Sequence, residues 1–146
     1  MNHPAIDIGS LLPHAGTARM IERVLRWNRD EIVAATARHR AIDNPLRKDG
    51  RLAAVHLAEF GAQVMAIHGG LLATADGATP RPALLVSVRD LELRRERIDD
   101  LPGDLEITAS QLLATPAAWQ YRFEVRSSGE LIASGRVAAM AHDLPK

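Results

Sequence analysis

The chain has 146 residues, 47% of them hydrophobic, which is enough for one domain with a substantial core and too short for two ordinary ones. Eighteen basic residues balance eighteen acidic ones and aromatics are sparse, so the composition argues against a nucleic-acid groove or a polybasic membrane anchor and toward small molecules or proteins as partners. The absence of cysteine excludes disulfides, thiolate nucleophiles and thiolate metal sites, and a reducing compartment is expected.

The first residues, MNHPAIDIGSLLPHAG, lack the basic start and long apolar run of a secretory leader, and no later stretch reads as a membrane span. A cytoplasmic protein with a single domain over residues 1–146 is therefore expected. In ARMIERVLRWNRDEIVAATARH, two partly alternating, β-branched runs flank the polar break Asn28-Arg29-Asp30 and predict a hairpin. RAIDNPLRKDG follows as a polar loop, with Asn44 before a proline and Gly50 at its end. Beyond it the apolar residues run in helical fashion to about Ala75, with Asp49 as the predicted cap. GATPRP stops the helix, since neither Gly77 nor the two prolines continue one comfortably.

The remainder reads as strands. Leu84, Val86 and Val88 alternate, then Leu91 and Leu93 alternate in the opposite phase, which predicts a bulge near Arg89-Asp90. Leu105, Ile107 and Ala109 form a further set, and Trp119, Tyr121, Phe123 and Val125 give the cleanest period-two face. RSSGEL supplies a turn into a last strand, Leu131 to Ala141.

On a helix of roughly 100° per residue, Leu52, His56, Glu59, Gln63, Ala66 and Gly70 share one stripe, and apolar side chains cover the other sides. A helix apolar nearly all round is buried nearly all round. With one such helix and about six strands, the economical architecture is α+β, an antiparallel sheet curled around the helix, known as the hotdog fold. One sheet leaves part of the helix uncovered, so pairing of subunits is expected, as a homodimer or a dimer of dimers. A carboxylate enclosed there is pushed toward its neutral, proton-donating form. Glu59 is thus the first catalytic candidate, with His56 beside it and Gln63 as a substrate-binding group; a structural Glu59–His56 pair is the bland alternative.

Glu59-Phe60-Gly61-Ala62-Gln63 resembles the E-x-x-A-Q helix motif of the β-hydroxyacyl-acyl-carrier-protein dehydratases, and Leu11-Leu12-Pro13-His14 followed by MIERV resembles their L-L-P-H-x-x-P-x-L-L-x-D-R-V opening. The likeness covers nearly the whole chain. It implies a hotdog dimer that dehydrates (3R)-hydroxyacyl thioesters carried by acyl carrier protein, with the helix glutamate catalytic and no cofactor beyond the phosphopantetheine or coenzyme A that carries the substrate. Those enzymes also hold a histidine in a G-H-F-P-G loop before the helix. DNPLRKDGRL has none, and resembles instead the P-x-x-x-D-G-x-L…E-x-x-A-Q pattern of the divergent branch associated with aryl-polyene and polyketide-like pathways.

The resemblance leaves the base open: His56 from the helix, His39 from the end of its strand, or a group from a partner subunit. Glu59 would protonate the departing β-hydroxyl, and amides near Gly50 to Ala53, taken as the positive end of the helix, would bind the enolate oxygen. Asn44 stands near the place of the absent histidine as a second substrate-binding candidate, with turn chemistry as the alternative. The resemblance also implies that the loop of one subunit closes over Glu59 of the other. Competing expectations are a non-catalytic hotdog subunit that completes a paralogue in a heterodimer, and an acyl thioesterase.

His68-Gly69-Gly70 resembles the H-G-G motif of hotdog thioesterases but falls late in the helix, opposite Glu59, so His68 reads as structural. Gly69 and Gly70 suggest a close approach or a kink. The six histidines show no metal spacing, and no metal is expected. Arg47-Lys48 and Arg94-Arg95 are candidate contacts for an acidic carrier protein.

Overall fold

The computed structural model describes residues 6–12, 16–79 and 83–141; Pro13 and His14 of the opening motif, and Pro80 and Pro82 of the helix stop, lie outside them. Strands β1 (Arg23–Trp27) and β2 (Glu31–Thr36) form the predicted hairpin. Its turn is closed by the Asn28 carboxamide oxygen, which accepts the Asp30 and Glu31 N–H groups at 2.8 and 2.9 Å. Helix α1 (Leu57–Ala75) follows, then β3 (Ala83–Leu93), β4 (Leu105–Ala114), β5 (Ala118–Ser127) and β6 (Glu130–Ala141).

The six strands make one antiparallel sheet in the order β1-β2-β4-β5-β6-β3, so β1 and β3 are its edges. The sheet wraps α1, whose Leu57, Phe60, Val64 and Ile67 are buried in one core with Ile32, Ile107, Phe123 and Val137. Such burial at about 25 cal/mol per Å² is the main force holding helix to sheet. This is the hotdog architecture expected from the sequence.

The start of the helix differs from expectation. Asp49 is not its cap: it sits at φ 53° in a tight turn with Gly50 at φ 74°, bridged by Lys48 and Arg51. The chain then runs extended, because the Asp99 carboxylate accepts the Leu52 N–H at 2.9 Å and the Glu96 carbonyl accepts that of Ala54 at 2.9 Å. Only after a 3₁₀ turn, Ala54–His56, does α1 begin, with His56 in the capping position but making no side-chain cap. Tertiary hydrogen bonds to the 96–99 segment thus override the helical periodicity of the preceding residues.

Gly61 and Gly135 make room for one ring. A Cβ on Gly61 would lie 2.6 Å from Phe123 Cγ, at the base of the ring, and one on Gly135 would lie 3.0 Å from Phe123 Cε1, toward its tip. The ring is fully buried and cannot swing away. Gly61→Ala gains about 1 kcal/mol of helix propensity but forces a core overlap, so a net loss of about 1–2 kcal/mol is expected. Thermal denaturation checks this, with a lowered midpoint expected.

β3 carries the predicted bulge, with a register shift between Arg89 and Glu92 and Asp90 at φ 52°. Its alternation, however, does not sort into a buried and an exposed face: Leu84, Leu85, Val86 and Val88 are 53, 43, 53 and 40% exposed. Much of the exposed apolar surface therefore lies along this edge strand and on Met140 of β6 beside Leu84, with Leu112 and Leu113 of β4 as a further patch, whereas α1 has no exposed residue before Thr74.

Candidate active site

A cleft of about 590 Å³ runs along α1 between the helix and the β3–β6–β5 side of the sheet. Glu59, Ala62, Ala66, Gly69, Ala73 and Asp76 supply its helical wall; Leu84, Trp119, Tyr121 and Ala139 face them from the strands. The walls are mostly apolar, and the carboxylate of half-buried Glu59 stands at one end.

Gln63 is the residue that organises this end. It is 1% exposed, and one carboxamide serves three partners: its oxygen accepts the Met20 N–H at 2.7 Å, while its nitrogen donates to the Ala18 carbonyl at 3.0 Å and to Glu59 Oε1 at 3.1 Å. A glutamine four residues after the glutamate meets it because i and i+4 lie on one helix face. The E-x-x-A-Q spacing thus couples the carboxylate to the second half of the opening motif, at Ala18 and Met20.

The other predicted residues lie elsewhere. His56 is half-buried at the foot of the helix and does not line the cleft. Asn44 is buried in its own loop, its nitrogen donating to the Arg38 carbonyl at 2.9 Å and its oxygen accepting the Leu46 N–H at 2.9 Å, an arrangement that builds a turn. Gly50 is exposed, and its placement at the positive end of the helix is corrected: α1 starts seven residues later, and the Arg51 and Leu52 N–H groups already bond to the Lys48 carbonyl and Asp99. Arg47, a candidate contact for a carrier protein, ties its loop together by donating to the carbonyls of Ala41, Gly50 and Arg40 at 2.8–3.0 Å. Thus Glu59 and Gln63 come together, and His56, Asn44 and Gly50 do not join them in the same cleft.

His68, read as structural, anchors a buried chain of hydrogen bonds. Its Nε2–H donates to the Asn28 carbonyl at 2.7 Å, Nδ1 accepts the Tyr121 hydroxyl at 2.5 Å, and that hydroxyl accepts from Gln111 at 3.3 Å. Burial holds the imidazole below its usual range, against the opposing pull of the Asn28 carbonyl, and pushes the Tyr121 phenol up to about 12. Both groups are therefore neutral at pH 7. The Tyr121 wall of the cleft was legible as part of a strand face, but its pairing with His68, 53 residues away in sequence, was not.

His39 is also fully buried. Its Nε2–H donates to the Leu101 carbonyl at 3.1 Å, whereas Nδ1 has no partner among the described residues. It faces Leu101 and does not line the cleft. Burial lowers its pKa, outweighing the Leu101 hydrogen bond. An unfolded histidine, near 6.5, takes up a proton that folded His39 and His68 refuse, so stability is complete above that value and declines as pH falls below it toward their lowered folded pKa values. Each contributes at most about 1.4 kcal/mol per pH unit in that window. Denaturant titrations between neutral and mildly acid pH should show this slope, and His39→Gln should reduce it to the part that His68 contributes.

Among the described residues no group of three His, Asp or Glu side chains is placed to hold a metal ion, and no helix is long and apolar enough to cross a membrane. The ApeP-like family model, described as ApeP dehydratase, matches residues 6–145. The chain belongs to the ApeP-like dehydratase family. This agrees with the divergent aryl-polyene branch suggested by the DNPLRKDGRL and E-x-x-A-Q elements. Curated protein sequences yield no significant match.

Solved structures similar to this ApeP-like chain include the dehydratase heterocomplex ApeI:P from Xenorhabdus doucetiae, at TM-score 0.85 and 17% identity over 94% of this chain and 92% of that one. AziG from S. sahachiroi follows at TM-score 0.60 and 18% identity, over 84% and 91%. A mutant of thioesterase PA1618 from Pseudomonas aeruginosa has TM-score 0.59 and 12% identity, over 84% and 81%. At these identities the structures establish the shared hotdog fold.

Proposed function

We propose that this ApeP-like chain dehydrates (3R)-hydroxyacyl thioesters carried on the phosphopantetheine arm of acyl carrier protein, without a further cofactor, and that it works paired with a second hotdog subunit. The observation that carries the reading is the Glu59 carboxylate, held by buried Gln63 at one end of an apolar cleft. In the proposed reaction a base removes a proton from the carbon next to the thioester carbonyl, the enolate collapses to a double bond, and Glu59 protonates the departing β-hydroxyl to give water. Apolar walls align the chain and exclude bulk water, while Gln63 fixes the carboxylate.

The base is proposed to be His56, acting at a Glu59-containing cleft only after assembly, since it does not line the cleft of its own chain. Gly50 and Asn44 belong in this reading to the loop that closes over the partner's site, rather than to the cleft of their own chain. Pairing is supported by the exposed apolar side chains on β3, an edge able to continue the sheet into another subunit. The partner is a second copy or a paralogue. The heterocomplex nature of the ApeI:P neighbour favours the paralogue, and with it a second reading in which this chain completes a partner's site.

One experiment separates these readings. The purified chain, alone and mixed with a second hotdog protein, is given hydroxyacyl thioesters on carrier protein and on coenzyme A. Water loss is followed by mass spectrometry and free thiol by a colorimetric reagent. Enoyl product from the chain alone supports the autonomous enzyme, product only with the partner supports the paired site, and thiol release without water loss overturns both in favour of a thioesterase.

A further inference from the structure

The cleft continues well past the carboxylate. Along α1, at about 1.5 Å per residue, Gly69 lies about 15 Å beyond Glu59 and Asp76 about 25 Å beyond it. Both line the cleft, as do Thr79 and Thr115 at its far side. Gly69 and Gly70 differ sharply. A Cβ on Gly70 would meet Leu11 at 2.9 Å, so that glycine serves packing. A Cβ on Gly69 would meet nothing within 4 Å, so any side chain there would project into open cleft. Gly69 has ordinary helical backbone, since its φ is not positive, and the geometry does not require glycine at this position. Helix propensity opposes glycine there by about 1 kcal/mol. What it provides is an unobstructed passage, with Trp119 and Tyr121 on the opposite wall.

We propose that Gly69 is the specificity-determining residue for chain length, and that the cleft takes thioesters of long, extended acyl chains whose distal carbons pass Gly69 toward Asp76. This rests on the acyl-thioester reading above. With the reacting carbons at Glu59, and each carbon of an extended chain advancing about 1.25 Å, Gly69 is reached about twelve carbons beyond the β-carbon, or roughly fifteen carbons from the thioester. The occupant is the acyl part and not the pantetheine arm, because that arm carries two amides needing partners, and the walls between Glu59 and Asp76 are mostly alanine, glycine, methionine, leucine and aromatic carbon, while the polar groups among them are already bonded: the Gln63 carboxamide to Met20, Ala18 and Glu59, the Tyr121 hydroxyl to His68 and Gln111, and the Thr115 hydroxyl to the Ala117 and Ala118 backbone.

The test uses binding, so that it stands apart from catalysis. Unreactive saturated acyl-pantetheine amides, in a series from well below to beyond ~15 carbons, are titrated against the wild-type assembly, Gly69→Val and Gly69→Leu by calorimetry. Wild-type affinity should keep rising with length past Gly69. In the variants it should rise equally over short chains and then level off, leaving the longest chains bound about ten-fold or more weakly than by wild type. Thermal midpoints at or above that of wild type show that the variants fold, and the shorter reach of valine gives a second point should leucine disturb the helix. Identical length dependence in all three proteins overturns the gauge, and equal loss at every length places the pantetheine arm at Gly69 and overturns it too. Dehydration of a short hydroxyacyl substrate is measured in parallel. If it is absent while binding changes with length as described, the enzymatic reading fails and the gauge stands.

Discussion

Glu59→Gln should lower the rate of hydroxyacyl thioester dehydration by about two to four powers of ten, the range a positioned general acid or base contributes. Glutamine keeps an oxygen where Gln63 Nε2 now donates at 3.1 Å, so the hydrogen bond and the packing survive while the transferable proton is lost. Circular dichroism and melting should match wild type, and so should binding of an unreactive acyl analogue. Turnover close to that of wild type would remove Glu59 from the mechanism. A large drop accompanied by unfolding would mean instead that the carboxylate is structural.

The second large effect is expected at Gln63. Leucine there fills a similar volume but strands the Met20 N–H, which lies under a side chain only 1% exposed. A buried donor left without an acceptor costs about 1–3 kcal/mol. The Ala18 carbonyl belongs to an exposed residue and can turn to water, so its loss adds less. A total of about 2–4 kcal/mol is expected by chemical denaturation. Activity should fall as well, because Glu59 loses its Nε2–H donor. Gln63→Glu is the informative companion: it can still accept from Met20 but, when ionised, brings two carboxylates together and cannot donate to Glu59. It should therefore recover more stability than activity, relative to leucine.

Much of the fold was legible because its signals are local and repeated. Trp119, Tyr121, Phe123 and Val125 alternate, Asn28 makes its own turn, and the 57–75 stretch is apolar on a helical period. The Glu59–Gln63 contact was readable for the same reason, since a separation of four residues settles it. What could not be read depends on partners distant in sequence. Asp49 has the chemistry of a cap, yet Asp99 and Glu96 hold residues 52–54 extended and delay the helix. His56 was assigned to the Glu59 stripe by extending that helical phase backward through the 3₁₀ turn. Asn44 and Arg47 both carry groups that suit a substrate or a carrier, and both direct them to their own loop. The role of Gly69 is invisible in one dimension, since nothing local separates it from Gly70, and only the arrival of Leu11 at one and of open space at the other does so.

The arrangement of Phe123 between Gly61 and Gly135 bears on how this family can drift. Gly61 lies inside the E-x-x-A-Q motif, between the acid and the amide, yet it performs no chemistry; it is the imprint of an aromatic ring from a strand 62 positions later. The three positions are consequently coupled by their shared space. A larger residue at 61 is tolerable only in a lineage that has already exchanged Phe123 for something smaller, and the constraint on Gly135 is then eased to the end of the Leu91 side chain, 3.3 Å from where a Cβ would stand. Substitutions at these sites should be contingent on one another and on their order, with couplings of contacting residues of about 0.5–3 kcal/mol. A motif that looks like a signature of catalysis is, at its centre, a record of which ring the sheet places against the helix.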